Sequence, residues 1–295
     1  VPFTLQKKKW RLDLGERSIS LDHRGEEAFV SHAHLDHAFS FKNVKKVIAS
    51  DATLDLLAVR GRPCNAERSN SVELLRAGHV LGAKQLRAEK DGFVSAYAPD
   101  FKLSDSLTVR GAEVKECDEL VVDATFADRD FPDRHETFQE ISDWAVREQE
   151  KGRIVVLGGY AVGKAQELVA CLNEYAGNAP LVSGLVADAC KVYEDHGVHL
   201  GFIPVDSEEG GEALKQTFCA VVPMNQVNAG LVWRLQELYH KPVSLAVATG
   251  WALSRRYSVK AFALSDHAGK TELREFVERT GAKKVFTEKG KQLLV

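Results

Sequence analysis

The segment 31–37, SHAHLDH, constrains this chain more than any other stretch of its 295 residues. It sets His32, His34, Asp36 and His37 directly behind an apolar run that reads as a buried strand over 28–34. Residues two apart on extended backbone point the same way, so His32 and His34 can grip one ion. Asp36 and His37 come after the chain turns, where they can address a second ion close by. Imidazole nitrogen and carboxylate oxygen are the donors catalytic zinc takes while leaving a position open for water.

The sequence around this segment is that of an α/β protein. Runs 46–50, 92–97 and 119–125 read as further buried strands, and Asp51 as the cap of a short helix over 52–60. From about Phe131 the pattern changes to strand–helix alternation, which predicts a mostly parallel sheet. Helices are expected at 135–152, 163–177, 184–196 and 228–240, with strands at 153–160, 199–205, 218–223 and 243–248. A strand at 259–266, a helix at 270–280 and a strand at 283–287 follow.

Composition bears on compartment and partners. No apolar run approaches the roughly 18–20 residues of a membrane span. The first ten residues, VPFTLQKKKW, contain neither the apolar stretch nor the cleavage site of a secretory signal. Five scattered cysteines (Cys64, Cys117, Cys171, Cys190, Cys219) without a CxxC suit a reducing compartment, so a soluble, cytoplasmic protein with no membrane partner is expected. The net charge of −3 gives no general electrostatic case for nucleic-acid binding. Local basic clusters at Lys7–Lys9, Arg255–Arg256 and Lys283–Lys284, the last with Lys289 and Lys291, each read first as solvated faces. Metal ions and a few placed cations can nevertheless carry phosphate recognition.

Taken singly, the downstream polar residues are ordinary. His79 in RAGHVLGA reads as a structural histidine, Asp100 in YAPDF as a turn aspartate, and Asp22 in SLDHRG as a turn former. Together they offer a third histidine and a bridging carboxylate to 31–37. HAHLDH resembles the HxHxDH signature of the metallo-β-lactamase superfamily. AGHVLGAKQL followed by YAPDF is similar to the AGHxxGS and YTGDF segments of its nucleic-acid branch, the β-CASP nucleases. VVDATFAD resembles that branch's motif A. GGYAVGKAQEL resembles a helix start in the inserted β-CASP domain, and ATGWA followed by ALSDHAG the approach to motif B. Within the family the last segment and the short insert look closest to DNA-ligase-associated exonucleases. The similarity runs from about Asp22 to Gly290.

The resemblance implies a metallo-β-lactamase αββα sandwich from 1–130 and 262–295, with a short β-CASP α/β domain of 131–261 inserted. It implies that His32, His34 and His79 hold a first zinc, that Asp100 bridges, and that Asp36 and His37 hold a second. Asp22 would orient ligands. His267 would stand near the scissile phosphate, with Asp123 as its acidic partner and Asp36 also in the catalytic set. Lys164, Arg255 and Arg256 are candidate contacts to the substrate backbone. The implied activity is zinc-dependent hydrolysis of single-stranded DNA or RNA. An ion in such a site brings the pKa of water to about 7 and neutralises phosphate charge. A charged histidine can then donate to the leaving oxygen.

Two departures stand out. The stretch VFTEKG puts Lys289 where RNA-cutting members carry a motif C histidine, and ammonium is no zinc ligand. One tight zinc and one weaker second ion, replaceable by Mn2+, are therefore expected. That lack, with aspartate rather than glutamate in motif A, is shared with DNA-processing members, so DNA is favoured over RNA; the resemblance to DNA-ligase-associated exonucleases implies exonucleolytic rather than endonucleolytic cutting. The other departure is Pro99 where the family usually has glycine. Three further classes compete: a non-catalytic β-CASP scaffold, an ester or thioester hydrolase on the same fold, and a phosphate-loop NTPase from Gly158, Gly163 and Lys164. Ala165, where the phosphate loop needs a hydroxyl for magnesium, speaks against the last.

Overall fold

The computed structural model describes residues 3–6 and 9–288. Lys7, Lys8, Lys289 and Lys291 lie outside the described residues, and with Lys289 the motif C position. The chain divides into two compact units, Val1–Asp130 with Asp266–Val295, and Phe131–Ser265.

In the first unit one sheet has the order β1 (Phe3–Gln6), β2 (Lys9–Asp13), β3 (Ser18–Leu21), β4 (Glu27–Phe29), β5 (Lys46–Ile48) and β6 (Glu67–Arg68). Helix α1 (Asp51–Val59) follows β5. The second sheet contains β7 (Glu73–Arg76), β8 (Lys84–Lys90), β9 (Phe93–Ala98) and β10 (Glu119–Val122). It is completed by the last strand among the described residues, Lys284–Thr287, on the outer side of β10. Period-two alternation decides what each residue faces. Val121, Tyr97 and Leu86 pack with Trp10, Leu12, Ile19, Phe29 and Ile48 of the first sheet. Their neighbours Leu120, Val122 and Ala98 pack instead with Leu273, Phe276 and Val277 of the helix Lys270–Thr280. This is the αββα layering expected from the sequence.

The second unit holds a parallel sheet of β11 (Ile154–Gly159), β12 (Leu181–Val182), β13 (Ile203–Pro204), β14 (Cys219–Pro223), β15 (Val243–Ala248) and β16 (Lys260–Phe262), in the order 13-12-14-11-15-16. Its helices include α2 (Arg134–Glu150) and α3 (Lys164–Ala176). The paired glycines of β11 explain the close layering. A Cβ on Gly158 would meet Val227 at 2.4 Å, and one on Gly159 would meet Lys164 and Leu168 of α3 at 2.8 and 3.1 Å.

Several expectations are corrected. Ser50, not Asp51, caps α1: its side chain accepts from Thr53 N, and Asp51 is already the first helical residue. The strand expected over 28–34 ends at Phe29, and that at 199–205 shrinks to Ile203–Pro204. The early stop of β4 has a local cause, because the Ser31 N–H is donated to Asp22 Oδ1 at 2.7 Å rather than to a neighbouring strand.

Candidate metal centre

Besides Glu288, the described residues of the first unit that could bind an ion come from five places in the chain. His32, His34 and His37 follow β4, His79 lies in the turn before β8, and Asp100 follows β9. Asp123 follows β10, and His267 precedes the helix Lys270–Thr280. His79 is aimed by a turn only glycine can make. Gly78 has φ +71°, and a Cβ there would stand 2.2 Å from Lys102 O.

Four ligand atoms, one each from His32, His34, His79 and Asp100, lie within 4.8 Å of one another. His79 Nε2 is 3.1 Å from His34 Nδ1, and Asp100 Oδ2 is 3.5 Å from both His32 Nε2 and His79 Nε2. Nitrogens on a tetrahedral zinc with its usual bond length would be spaced about 3.3 Å apart. The protonation of each ring follows from its outer partner. Ser31 Oγ donates its one proton to Asp22 Oδ2 at 2.7 Å, so it accepts from His32 Nδ1 at 3.0 Å. His79 Nδ1 donates to the Asp266 carbonyl at 2.9 Å, and His37 Nδ1 to Asp22 Oδ2 at 2.9 Å. With Nδ1 so engaged, each ring turns Nε2 to the cluster, and in the neutral His32 and His79 that atom carries a lone pair, the arrangement that fixes metal-bound histidines. His32 Nε2 is fully buried with no hydrogen-bond partner. Such an orphan is costly unless something electrophilic meets it, and a divalent ion fits.

Asp22 is the hub of this outer layer. It sits at φ +54°, and its carboxylate accepts from Ser31 N, Ser31 Oγ, His37 Nδ1 and, at 3.1 Å, Tyr97 Oη. Asp100 has its two oxygens on different groups. Oδ2 faces His32, His79 and, at 3.8 Å, His267 Nε2, while Oδ1 lies 3.6 Å from His37 Nε2. Pro99 does not keep Asp100 out of the cluster; its carbonyl accepts from Asp123 N at 3.1 Å. Asp36 is mostly exposed, with Oδ2 3.7 Å from His37 Nε2. Sequence reasoning missed Glu288, whose Oε1 lies 3.9 Å from His37 Nε2 and which groups with His37 and Asp100.

His267 stands at the side of the cluster. Its Nδ1 is 2.8 Å from Asp123 Oδ2, while Asp123 Oδ1 accepts from Thr125 N and Thr125 Oγ1 at 2.8 and 2.6 Å. The ring is thereby oriented with Nε2 towards Asp100.

Electrostatics fit the same picture. Burial, reinforced by the neighbouring imidazoles, drives His32 and His79 well below the ordinary histidine range. Burial opposes charge on His37 and His267 too, but carboxylates overcome it. Asp100, Asp22 and Glu288 raise His37 well above that range, and Asp100 with Asp123 raises His267 to about 9. Burial pushes Asp100 up to about 6 and Glu288 to about 7. Acids crowded at such a cost are the setting in which a cation stabilises the whole group.

In the second unit Lys164 is buried, with Nζ 3.1 Å from Glu167 Oε2. Arg255 and Arg256 are exposed, and the Arg255 guanidinium lies 4.5 Å from the Trp251 ring centre. Among the described residues no helix is long and apolar enough to cross a membrane.

No family model matches the chain. It is 27% identical over 286 residues to a "Probable DNA ligase" of Opitutus terrae, covering 90% of this chain and 27% of that protein. It is 27% identical over 201 residues to an "RNase J-like protein" of Methanocaldococcus jannaschii, covering 55% of this chain and 47% of the relative. It is 24% identical over 165 residues to the "Cleavage and polyadenylation specificity factor subunit 3-II" of Arabidopsis thaliana, covering 54% and 24% respectively. The chain thus spans from about a quarter to about half the length of these relatives. The αββα sandwich and the parallel α/β unit that interrupts it are the architecture of a metallo-β-lactamase fold with a β-CASP insert, and in sequence the chain is similar to these relatives.

Proposed function

We propose that this protein is a zinc-dependent nuclease that hydrolyses phosphodiester bonds in single-stranded nucleic acid, DNA in preference to RNA, from a chain end, in the cytoplasm. The convergence of His32, His34, His79 and Asp100 on one point carries the reading. Relatives whose names denote a DNA ligase and ribonucleases support a nucleic-acid substrate. Asp123 in motif A and the resemblance to DNA-ligase-associated exonucleases support DNA and exonucleolytic cutting.

An ion held by His32, His34, His79 and Asp100 would acidify water and offset phosphate charge. The chain's own residues supply the rest. Asp22 and Ser31 lock the imidazoles so that no reorganisation accompanies the reaction. As water adds to phosphorus, giving one proton up to solvent, and the bond to the leaving oxygen breaks, that oxygen takes a proton from His267 Nε2. Asp123 opposite Nδ1 favours the doubly protonated ring beforehand and stabilises its orientation afterwards. Exposed Arg255 and Arg256 are the candidate contacts to backbone phosphates; Lys164 would have to leave Glu167 to serve as one.

The test is end-labelled single-stranded DNA and RNA of each polarity, incubated with zinc- or manganese-loaded protein. Stepwise shortening of DNA that stops on chelation and resumes on zinc addition is expected. An inert protein that nonetheless carries its zinc would overturn the reading in favour of a scaffold, and cleavage of a thioester alone in favour of another hydrolase.

A further inference from the structure

We infer that Glu288 is a ligand of the second metal position, making that position rich in oxygen and suited to manganese while the first is suited to zinc. The inference rests on the two-metal reading above and assigns a residue and a metal preference to its second position.

The geometry that carries it is local. Glu288 directly follows the strand Lys284–Thr287, which pairs in parallel with β10. Its backbone is tied on both sides: its N–H donates to Val122 O at 3.0 Å, and its carbonyl accepts from Trp10 Nε1 at 2.9 Å. Trp10 in turn packs on Phe286, with ring centres 5.5 Å apart. A side chain leaving so fixed a backbone has few places to go, and this one carries its carboxylate, a third exposed, to the group of His37 and Asp100. His37 Nε2 lies 3.6, 3.7 and 3.9 Å from oxygens of Asp100, Asp36 and Glu288.

The two donor sets differ in kind. The first position offers three imidazole nitrogens and one carboxylate, the second one imidazole and up to three carboxylates. Nitrogen-rich sets favour zinc strongly, whereas carboxylates suit manganese and magnesium. Zinc outranks manganese for most sites, so the claim concerns the margin: it is large at the first position and small at the second. A histidine in place of Glu288 would widen it.

The experiment uses the full chain loaded with one equivalent of zinc and titrated with Mn2+. Bound manganese is read by loss of the free-ion electron paramagnetic resonance signal, and zinc by elemental analysis. The wild type should keep one zinc and bind one manganese. E288Q should keep its zinc while manganese binding weakens about 100-fold or more, since even outer-layer partners of a ligand are worth about 10–100-fold. E288H should take up a second zinc in preference to manganese. Unchanged manganese binding in zinc-loaded E288Q would overturn the assignment of Glu288 alone. A wild-type protein that keeps no zinc would instead remove the metal reading on which the inference rests. Circular dichroism of each variant separates loss of a ligand from loss of the fold.

Discussion

Both units bury charged side chains, but they satisfy them differently. In the second unit Lys164 and Glu167 are each nearly inaccessible, and Arg134 also pairs with Glu167 while donating to Ser265 O at 2.6 Å. Gln166 closes the helix start by accepting from Gly163 N at 2.8 Å. Both cations are thus paired with the one carboxylate between them. In the first unit His32, His79, His37, Asp100 and Asp123 are equally buried, yet His32 Nε2 meets no hydrogen-bond partner, and the Nε2 lone pairs of His32 and His79 point inwards. The first arrangement balances its charges within the protein, whereas the second aims imidazole lone pairs at a point that a cation would complete. Buried polarity alone therefore does not mark a functional site. What marks it is buried polarity with its lone pairs aimed at a common point.

The largest effect should follow from breaking that common point. Asp100→Ala removes the one carboxylate that faces both positions, so metal content should fall below one ion per chain. Nuclease activity should fall by more than the roughly 10²–10⁴-fold that a single general acid contributes. Elemental analysis and a nuclease assay check this. An Asp100→Ala protein that keeps two ions would mean the donors do not converge as described.

Next in size is His267→Ala. Because Nε2 of this ring faces Asp100 from the side of the cluster, the tighter zinc should stay while activity falls by roughly 10²–10⁴-fold. A nitrophenyl phosphodiester, whose leaving group needs little protonation, should be hydrolysed with a much smaller loss. If zinc is lost and no rescue occurs, His267 is a ligand. Asp123→Asn should cost less than His267→Ala in the same assay, since the ring remains and only its partner changes.

Smaller again is Asp22→Asn. An amide cannot accept from both Ser31 groups, His37 and Tyr97 while keeping the histidines' tautomers fixed. Loss of such an outer partner weakens metal binding by about 10–100-fold. Competition with a chelator measures this directly, and an unchanged affinity would mean that burial alone orients His32 and His37.

These residues differed in how far the sequence revealed them. The spacing of 31–37 is local, so two-residue periodicity suffices to group His32 with His34. His79 and Asp100 are brought in by tight turns and by a neighbouring strand, and nothing in RAGHVLGA or YAPDF alone separates a ligand from a turn residue. Glu288 went unread because the comparison with motif C looked for a histidine one position later. The available signal was an acid immediately after a strand beside β10. The N-terminal strands β1–β3 were missed for another reason: each is four or five residues long, and KWRLD gains its pairing partners only from the fold. Gly163 and Lys164 invited a phosphate-loop reading, which depended on a lysine being available to ligand. The structure gives that lysine to Glu167.

The smallest effect on chemistry, and the sharpest check on the comparison, comes from that ion pair. Glu167→Gln leaves Lys164 and Arg134 without their shared carboxylate. Breaking a buried pair from one side costs about 3–5 kcal/mol. Lys164→Met leaves Glu167 still paired with Arg134, so it should cost clearly less. The double variant should be less destabilised than the sum of the two, because residues in one network couple. None of the three should change zinc content, since no ligand of the first unit is touched. Urea unfolding and elemental analysis on the same samples read both quantities. If Lys164→Met leaves stability unchanged but abolishes oligonucleotide binding, the lysine serves substrate rather than structure. The contrast between a self-satisfied charge network and one awaiting a cation would then fail on its second-unit side.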